Sequence, residues 1–343
     1  MRRTRNASIR VLNENGAAGY GAFRGEENVS FPFSLNDSEK RFSEIVLAQE
    51  RYGADQAEYV LSLLRLAVDG ILSVRPSSRW LTGPEVAQYA LERLDLLEVE
   101  ERHVTLIAGR LLRAGSIDNL AYFLYTSGRW PMDSLSLRAA RQVVFEAEVI
   151  ALPSPWHRLT RGSSEWIGWR RGGVLAVNPL RRARAKLYVS VDPAFLDSHF
   201  GVIMEAVFFT AQAVEAKIAA RPRGLHRPDA LVVYCESFEH LSVVAQRLGP
   251  LVAAALPSSM TFAPRFAGSP NIFWGIDPIQ PEHLVYGESW RRSVCCRCAQ
   301  VAIRLSHLST ADPITVSLSA LFRLNLDGVD TATWIPPYAR EQY

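Results

Sequence analysis

The residue types best suited to chemistry lie between residues 181 and 234, where basic side chains stand at the ends of apolar segments. The basic residues at the ends of these segments are Arg181, Arg182, Arg184, Lys186, Lys217, Arg221, Arg223, His226 and Arg227. The apolar segments between them predict a strand over 187–191, a helix over 200–218 that ends near Lys217, and a strand over 230–234. Cations at the ends of neighbouring elements can converge on one anion. This arrangement therefore indicates a site for a phosphorylated substrate.

The length and composition are those of a globular protein with a substantial core. At 343 residues the chain is long enough for two compact units or one large α+β domain. Its apolar content of 48% is typical of globular proteins, and a net charge of +3 is too small by itself to indicate nucleic acid. No apolar run reaches the ~20 residues of a membrane span, and no apolar signal core follows the basic N-terminus. We therefore expect a cytoplasmic protein with no nucleic-acid or membrane partner.

Three segments of the chain differ in pattern. Residues 1–38 are rich in Gly, Asn and Arg and are expected to form a flexible N-terminal arm. Residues 39–150 have helical periodicity and predict a helical domain. Residues 151–343 add short strand patterns, at 166–169 and 173–177 among others, to helices predicted at 238–256 and 294–308. The predicted fold class is α+β: an N-terminal helical bundle, then helices packed on a mixed β-sheet.

The cysteines do not predict a metal site. Cys295, Cys296 and Cys298 fall on one predicted helix, where they point in different directions and cannot close a tetrahedral zinc site. We interpret them, together with Cys235, as buried free thiols. No other cluster suggests a metal, and no cofactor is expected.

Several segments share their order and spacing with one known family. They are the aromatic segment at 120–128, the strand at 186–191, and segments 216–218, 227–234, 260–268 and 297–302. Together they resemble the HopA effector family over roughly residues 115 to 308. The strand K-L-Y-V-S-V at 186–191 is also similar to the K-F-H-I-S-V strand of bacterial phosphothreonine lyases, with Tyr188 where those enzymes have histidine.

The resemblance implies a fold similar to that of phosphothreonine lyases. It also implies an activity, the elimination of phosphate from phosphorylated Ser or Thr to give dehydroalanine or dehydrobutyrine. The substrate would be a ribosomally made precursor peptide, as in thioamitide and class V lanthipeptide biosynthesis. Nothing in the chain resembles a kinase, so a separate Ser/Thr peptide kinase, in complex with this protein, would supply the phosphopeptide.

Elimination of phosphate needs a base for a weakly acidic α-proton, donors for the enolate-like oxygen, and cations for the departing phosphate. Lys217 fits the base, because like charges and desolvation both lower the pKa of a lysine. The alternative for Lys217 is a solvated lysine favoured by the negative end of a helix. Lys186 would orient the phosphate or the carbonyl group.

Tyr188 would donate a proton to the leaving oxygen. It alternates with Lys186 along the predicted strand, so both side chains share one face. His226, which lies next to Arg227 in the sequence, and His157 are reserve candidates for the acid.

Phosphate binding is assigned to arginines, because their guanidinium groups bind phosphate through paired hydrogen bonds. Arg227 and Arg297 are the first candidates, and surface ion pairing is the alternative for both. Arg265 and Arg181 would line the mouth of the site. Tyr234 is either a hydroxyl donor in the site or an aromatic residue of the sheet.

Two other functions are compatible with these residues. A type III secreted effector would act in host cells, and the polar N-terminus is compatible with export. A non-catalytic phosphopeptide-binding partner of a kinase would keep the arginines but would have no use for a lysine of lowered pKa.

Overall fold

A computed structural model describes residues 64–70, 81–93, 101–159, 165–173, 185–277, 289–308 and 311–336, together with four two-residue strands. These short strands pair Arg5–Asn6 with Pro32–Phe33 and Arg10–Val11 with Leu72–Ser73. The rest of the predicted N-terminal arm, most of the strand predicted at 173–177, and Arg181 lie outside the described residues.

Six strands of the described chain form one sheet. They are β1 (Trp156–Arg158), β2 (Trp166–Arg171), β3 (Ala185–Val189), β4 (Ala213–Ala219), β5 (Leu231–Cys235) and β6 (Ile272–Ile276). The strand order is β6-β3-β5-β4-β2-β1, and all five pairings are antiparallel. The α+β class is therefore confirmed, but the prediction of a mixed sheet is wrong.

The connections explain why the sheet is antiparallel although helices link its strands. The helix after β3 leads to β4, and the helix after β5 leads to β6, as in parallel units. In both cases a third strand lies between the connected ones: β5 separates β3 from β4, and β3 separates β5 from β6. Strands of the same direction are thus never neighbours in this sheet.

Two helices cover one face of the sheet. Helix α5 (Pro193–Phe208) begins at Asp192, whose side chain accepts hydrogen bonds from the backbone of Ala194 and Phe195, and helix α6 (Phe238–Val252) begins at Ser237. The wholly buried side chains between helices and sheet include Phe200, Ile203, Leu187, Val233, Leu241, Val244 and Trp274. The opposite face of the sheet is left for other contacts, and it carries the candidate site.

The helix predicted over 200–218 is wrong in its second half, because α5 ends at Phe208 and β4 begins at Ala213. The backbone N–H of Thr210 donates to the carbonyl of Val207, and its hydroxyl donates to the carbonyl of Ala206, which completes the helix end. The alanine-rich run that follows is compatible with the periodicity of a helix and with that of a strand. It forms a strand because it pairs with β2 on one side and with β5 on the other. Lys217 is therefore a mid-strand residue rather than a helix-end residue.

The remaining helices are α1 (Pro84–Arg93), α2 (Glu101–Ala114), α3 (Ile117–Tyr125), α4 (Ser134–Val149), α7 (Trp290–Leu308) and α8 (Pro313–Leu326), and a 3-10 helix spans Pro222–His226. By contacts the chain forms two compact units: residues 1–120 with 297–332, and residues 121–296 with 333–343. This division differs from the predicted boundaries at residues 38 and 150, which stay a prediction. Within the described residues no helix is long and apolar enough to cross a membrane.

The first unit contains a network of ion pairs around two aspartates. Arg304 and Arg323 both contact the carboxylate of Asp69, and Arg65 and Arg323 contact Asp327. The second unit contains the whole six-stranded sheet.

Candidate functional site

The register of the sheet places four predicted site residues on one face. Lys186 of β3 lies opposite Tyr234 of β5, and Tyr188 lies opposite Val232, which in turn lies opposite Lys217 of β4. Residues directly opposite each other in a sheet point to the same side. Lys186, Tyr188, Tyr234 and Lys217 thus share the face that α5 and α6 leave uncovered, and we call it the polar face.

A β-bulge in β4 fixes which face Lys217 occupies. Ala213 lies opposite Cys235, but Glu215 lies opposite Tyr234, so one extra residue is inserted at Val214. Without that residue the alternation after Ala213 would turn Lys217 to the face covered by the helices. Bulges commonly re-aim side chains next to functional sites.

The two lysines meet over one aromatic ring. The ammonium nitrogens of Lys186 and Lys217 each lie 5.3 Å from the centroid of the Tyr234 ring, so they are no more than twice that distance apart. Lys217 also lies 4.5 Å from the Trp166 ring. Lys186 is buried and contacts the Asp277 carboxylate at 2.5 Å. The site therefore contains one lysine that pairs with a carboxylate and one that packs against aromatic rings.

Lys217 has the electrostatic properties of a base. Burial lowers the pKa of its amine, and the charge of Lys186 lowers it further, so that the value falls from 10.5 to about 8. Among the described residues, no carboxylate lies within ion-pair distance of Lys217. Its neutral form is therefore accessible near neutral pH.

A buried carboxylate organises the arginines next to the lysines. Asp229 accepts hydrogen bonds from Nε of Arg227 at 3.0 Å and from its Nη2 at 2.9 Å, and from the Tyr125 hydroxyl at 2.7 Å. The guanidinium of Arg291 approaches the same carboxylate at 3.7 Å. Burial by itself would raise the pKa of Asp229, but the charges of Arg227 and Arg291 outweigh it and lower the pKa to about 2. The carboxylate is thus ionised at any physiological pH.

Aromatic rings connect these arginines with the lysines. The guanidinium of Arg227 lies 5.3 Å from the Trp166 ring, which Lys217 also contacts. Both arginines lie over the ring of Tyr125, Arg227 at 5.6 Å and Arg291 at 4.8 Å. Stacked and hydrogen-bonded guanidinium groups are held in one orientation.

Arg291 is the functional candidate that sequence reasoning missed. Its side chain is 1% exposed, and its Nε donates to the carbonyl of Thr261 at 2.8 Å. Among the residues that the structure describes, neither of its terminal nitrogens has a hydrogen-bond acceptor. The residue after Thr261 in the sequence, Phe262, has a backbone φ of 58°, a conformation that is unusual for a residue with a bulky side chain. A buried guanidinium with unused donors, held by a strained loop, is well suited to bind an anion.

A signal for Arg291 does exist in the sequence. In α7 the residues three, four and seven positions after it, Val294, Cys295 and Cys298, are all buried. Helical spacing thus places Arg291 on the apolar stripe, whereas its neighbour Arg292 is exposed. An arginine on the apolar face of a helix requires an explanation, and anion binding provides one.

Arg297, the arginine predicted from the same helix, lies in the first compact unit. Its Nη2 is 3.5 Å from the carboxylate of Asp327. This contact is the ion pair that the sequence left open as its alternative. The phosphate-binding role of Arg297 stays a prediction.

The other predicted residues occupy peripheral or structural positions. His226 is buried, with Nδ1 3.0 Å from the carbonyl oxygen of Pro222 and Nε2 3.2 Å from the hydroxyl of Ser136. Both ring nitrogens are therefore engaged in local contacts. His157 is exposed on the edge strand β1. Arg265 is exposed, with its guanidinium 5.5 Å from the Phe273 ring at the rim of the polar face.

Tyr188 is the better candidate for an acid. Its side chain is buried, and burial, helped by the charges of neighbouring groups including Asp277 and Asp229, raises the pKa of its phenol well above 10.0. The phenol therefore stays protonated and can donate. Tyr234 lies between the two lysines and contacts both through its ring.

The charges of the site add up to an excess of positive charge. Lys186, Lys217, Arg227 and Arg291 face two carboxylates, Asp229 and Asp277, in their immediate contacts. Such an excess matches a phosphate group, which carries between one and two negative charges near neutral pH.

Metal ligands and reactive thiols are not part of this arrangement. Within the described residues no group of three or more His, Cys, Asp or Glu side chains could hold a metal ion. Cys235, Cys295 and Cys298 are buried free thiols, and burial raises the pKa of Cys235 and Cys298 to about 12.

Comparisons with known proteins find a weak likeness to effector proteins. No family model matches the chain, and no curated protein matches its sequence. A solved effector protein from Pseudomonas syringae pv. syringae strain 61 superposes with a TM-score of 0.40 at 10% identity, over 63% of this chain and 95% of its own. An effector protein from Pseudomonas syringae pv. tomato strain DC3000 superposes with a TM-score of 0.35 at 8% identity, over 63% of this chain and 98% of its own. Likenesses at this level are too weak to transfer function.

The different environments of the two lysines predict opposite effects on stability. At pH 7 the Lys217→Met variant should be at least as stable as the parent, because the lowered pKa means that the charge of Lys217 opposes folding. The charge lowers the free energy of unfolding by its full amount below about pH 8, and this destabilisation disappears as the pH rises from about 8 towards 10.5. Lys186→Met should lose roughly 1–3 kcal/mol, because it removes a buried ammonium from the partly buried carboxylate of Asp277. Urea unfolding at pH 7 measures both, and equal destabilisation by the two substitutions would contradict this account.

Proposed function

We propose that the polar face is the active site of a lyase that eliminates phosphate from phosphorylated Ser or Thr side chains in a peptide. The proposal rests on two residues that occur in the same cluster. Lys217 has a pKa of about 8, and Arg291 is a buried guanidinium beside the Asp229 carboxylate with unused hydrogen-bond donors. A phosphate-binding site needs only the arginines. A desolvated lysine in the same cluster supplies a base, which binding alone does not require.

The base removes the α-proton of the phosphorylated residue. The neutral amine of Lys217 takes this proton, and the electron pair of the broken C–H bond moves towards the adjacent carbonyl. The ammonium of Lys186, held by Asp277, stabilises the negative charge that develops on the carbonyl oxygen. Preorganised donors at such a position lower the barrier without reorganising during the reaction.

The second half of the reaction expels the phosphate. The electron pair forms the Cα=Cβ double bond, and the bond between Cβ and the phosphate oxygen breaks. Arg291 and Arg227 stabilise the departing charge, and Tyr188, whose phenol stays protonated, donates a proton to the leaving oxygen. The products are a dehydroamino acid and inorganic phosphate. Return of the proton from Lys217 to Tyr188, directly or through solvent, restores the site.

The setting of this reaction is part of the proposal. We infer a phosphorylated precursor peptide as substrate and a separate Ser/Thr kinase as partner, because phosphate must be added before it can be eliminated. A host protein modified by a secreted effector would present the same phosphorylated side chain. The chemistry of the polar face is the same in both settings.

A non-catalytic phosphopeptide-binding module is the second candidate. The contacts of Arg227 favour it, since its Nε and Nη2 are both engaged with Asp229 and leave it to act chiefly as a fixed charge. Such a module would bind the phosphate through Arg291. It would give no role to the lowered pKa of Lys217.

Substitution of Lys217 separates the two candidates. With a phosphothreonine peptide, Lys217→Ala should lower the elimination rate at least about 100-fold, because a general base contributes 10²–10⁴ to the rate. Peptide binding should stay nearly unchanged, since the base acts only along the reaction path. Mass spectrometry of the dehydrated product and fluorescence anisotropy of bound peptide measure the two quantities. Elimination by Lys217→Ala at the parent rate would remove Lys217 from the mechanism.

Arginine variants provide the matched controls for this experiment. Arg291→Gln should weaken both binding and turnover, because a charged hydrogen bond to the phosphate contributes about 1.5–3 kcal/mol in both states. Arg227→Gln should also weaken both, because it removes the fixed positive charge that Asp229 holds in the site. Arg292→Gln removes an exposed cation next to Arg291 in the sequence and should change both only slightly. Peptide binding that Arg291→Gln weakens and Lys217→Ala leaves intact, with no turnover by the parent protein, would favour the binding module.

The rate of elimination should depend on the protonation of Lys217. It should rise with pH and level off above about 8, because only the neutral amine accepts the proton. Lys186→Met should move the midpoint to higher pH, since it removes the like charge that lowers the pKa of Lys217. Initial rates measured from about two pH units below to about two above the pKa of Lys217 test this. A midpoint that stays in place in Lys186→Met would contradict the coupling of the two lysines.

A further inference from the structure

Helix α4 presents an apolar stripe on the side that faces away from the core. Leu135 is 75% exposed, Phe145 57% and Val149 61%. The opposite side of the same helix is buried through Val143 and Ala147, among others. Three large apolar side chains exposed on one side of a helix make that side a candidate interaction surface.

The stripe has the spacing of a helix-pairing seam. Its members are the apolar residues Leu135, Phe145 and Val149 and the polar residues Arg138 and Gln142 between them, which follow one another at alternating intervals of three and four residues. This is the heptad spacing with which two helices interdigitate at a small crossing angle.

A groove beside this seam provides room for side chains of a partner helix. It has a volume of about 500 Å³ and lies between α4 and α5, lined by Leu135, Arg138, Ala139, Arg141, Gln142 and Asp197. The lining combines aliphatic stems with charged ends. A single large apolar side chain such as phenylalanine fits a groove of this kind.

The charges on one flank of the seam decide what the partner is. Arg141 and Glu148 are exposed and lie seven residues apart, on the same side of the stripe. Within the described part of the chain neither side chain forms an ion pair. They are also too far apart along the helix, two turns, to pair with each other.

We propose that α4 is a self-association surface, through which two copies of this chain form an antiparallel, two-fold symmetric dimer. When a second α4 runs antiparallel to the first, Arg141 of each copy comes opposite Glu148 of the other, so the ion pair forms twice. The two-fold axis then passes between Gln142 and Phe145. Phe145 of each copy packs against Gln142 of the other copy, and the two Phe145 side chains lie near each other at the centre of the seam. A parallel arrangement would place arginine against arginine and glutamate against glutamate.

Self-complementarity favours a second copy over a different protein. A two-fold interface must complement itself, and a pair of opposite charges placed symmetrically about an apolar centre has this property. A kinase or a substrate would impose no such relation between the two ends of one helix. A single helix pair is small for a protein interface, so we expect a dimer that dissociates in the micromolar range. This inference does not rest on the proposed function.

The first experiment measures the mass of the full chain by sedimentation velocity from micromolar to submillimolar concentrations. The parent protein should pass from monomer to dimer, and Phe145→Asp should raise the dissociation constant at least about tenfold, because it places a charge at the centre of the seam. Val149→Asp should also weaken the dimer, because in this register Val149 lies against the first half of the partner helix. Val243→Asp is the matched control, because Val243 is an exposed apolar residue of α6, and it should leave the dimer unchanged. Circular dichroism confirms that each variant is folded.

The second experiment exchanges the charges. Arg141→Glu and Glu148→Arg should each weaken the dimer several-fold, because each places like charges opposite each other. The double variant should return the dissociation constant to near the parent value, since the ion pairs are rebuilt with reversed sense. Rescue of this kind requires that the two residues meet across copies.

Three results would overturn the proposal. The parent protein could stay monomeric at submillimolar concentration, a dimer could persist unchanged in both Phe145→Asp and Val149→Asp, or the double charge exchange could fail to restore association. A monomer that binds a purified peptide kinase, and loses that binding in Phe145→Asp but not in Val243→Asp, would assign the stripe to a different protein.

Discussion

The buried carboxylate of Asp229 is the constraint on which the polar face depends. Two guanidinium groups could not be held side by side away from water without a counter-charge, because isolated buried charges are costly. Asp229 binds Arg227 through two hydrogen bonds, accepts a third from Tyr125, and lies 3.7 Å from Arg291. One carboxylate cannot neutralise two cations. The result is a rigid positive site that is completed when an anion binds.

The sheet converts this local arrangement into a site by its register. Lys186 and Tyr188 come from β3, and the bulge in β4 turns Lys217 to the same side. The strand between them contributes Tyr234, whose ring separates the two ammonium groups. A slip of one residue in either pairing would bury these side chains under α5 and α6. Because a lysine in that apolar layer would be unstable, the same register protects both the core and the site.

The sequence was sufficient for some of these features and not for others. The alternation of Lys186 and Tyr188 identified a shared face, because side chains in a strand alternate whatever its neighbours are. The strand that carries Lys217 was mistaken for a helix, because an alanine-rich apolar run fits both periods and only pairing with two neighbouring strands decides. The sequence motif favours Arg297, although the helical spacing of α7 already places Arg291 on the apolar side of that helix. The antiparallel sheet could not be predicted, since strand order depends on contacts between residues far apart in the chain.

The most direct test of the account follows a deuterium label at the α-carbon. A peptide with α-deuterated phosphoserine would be incubated with the protein, and the product analysed by mass spectrometry. If Lys217 removes the α-proton, the product loses phosphate and deuterium together, as dehydroalanine, and the reaction is slower than with the unlabelled peptide because the C–D bond breaks. A dephosphorylated serine that keeps its deuterium would show hydrolysis instead of elimination. That result would contradict the role assigned to Lys217 and the function proposed for the polar face.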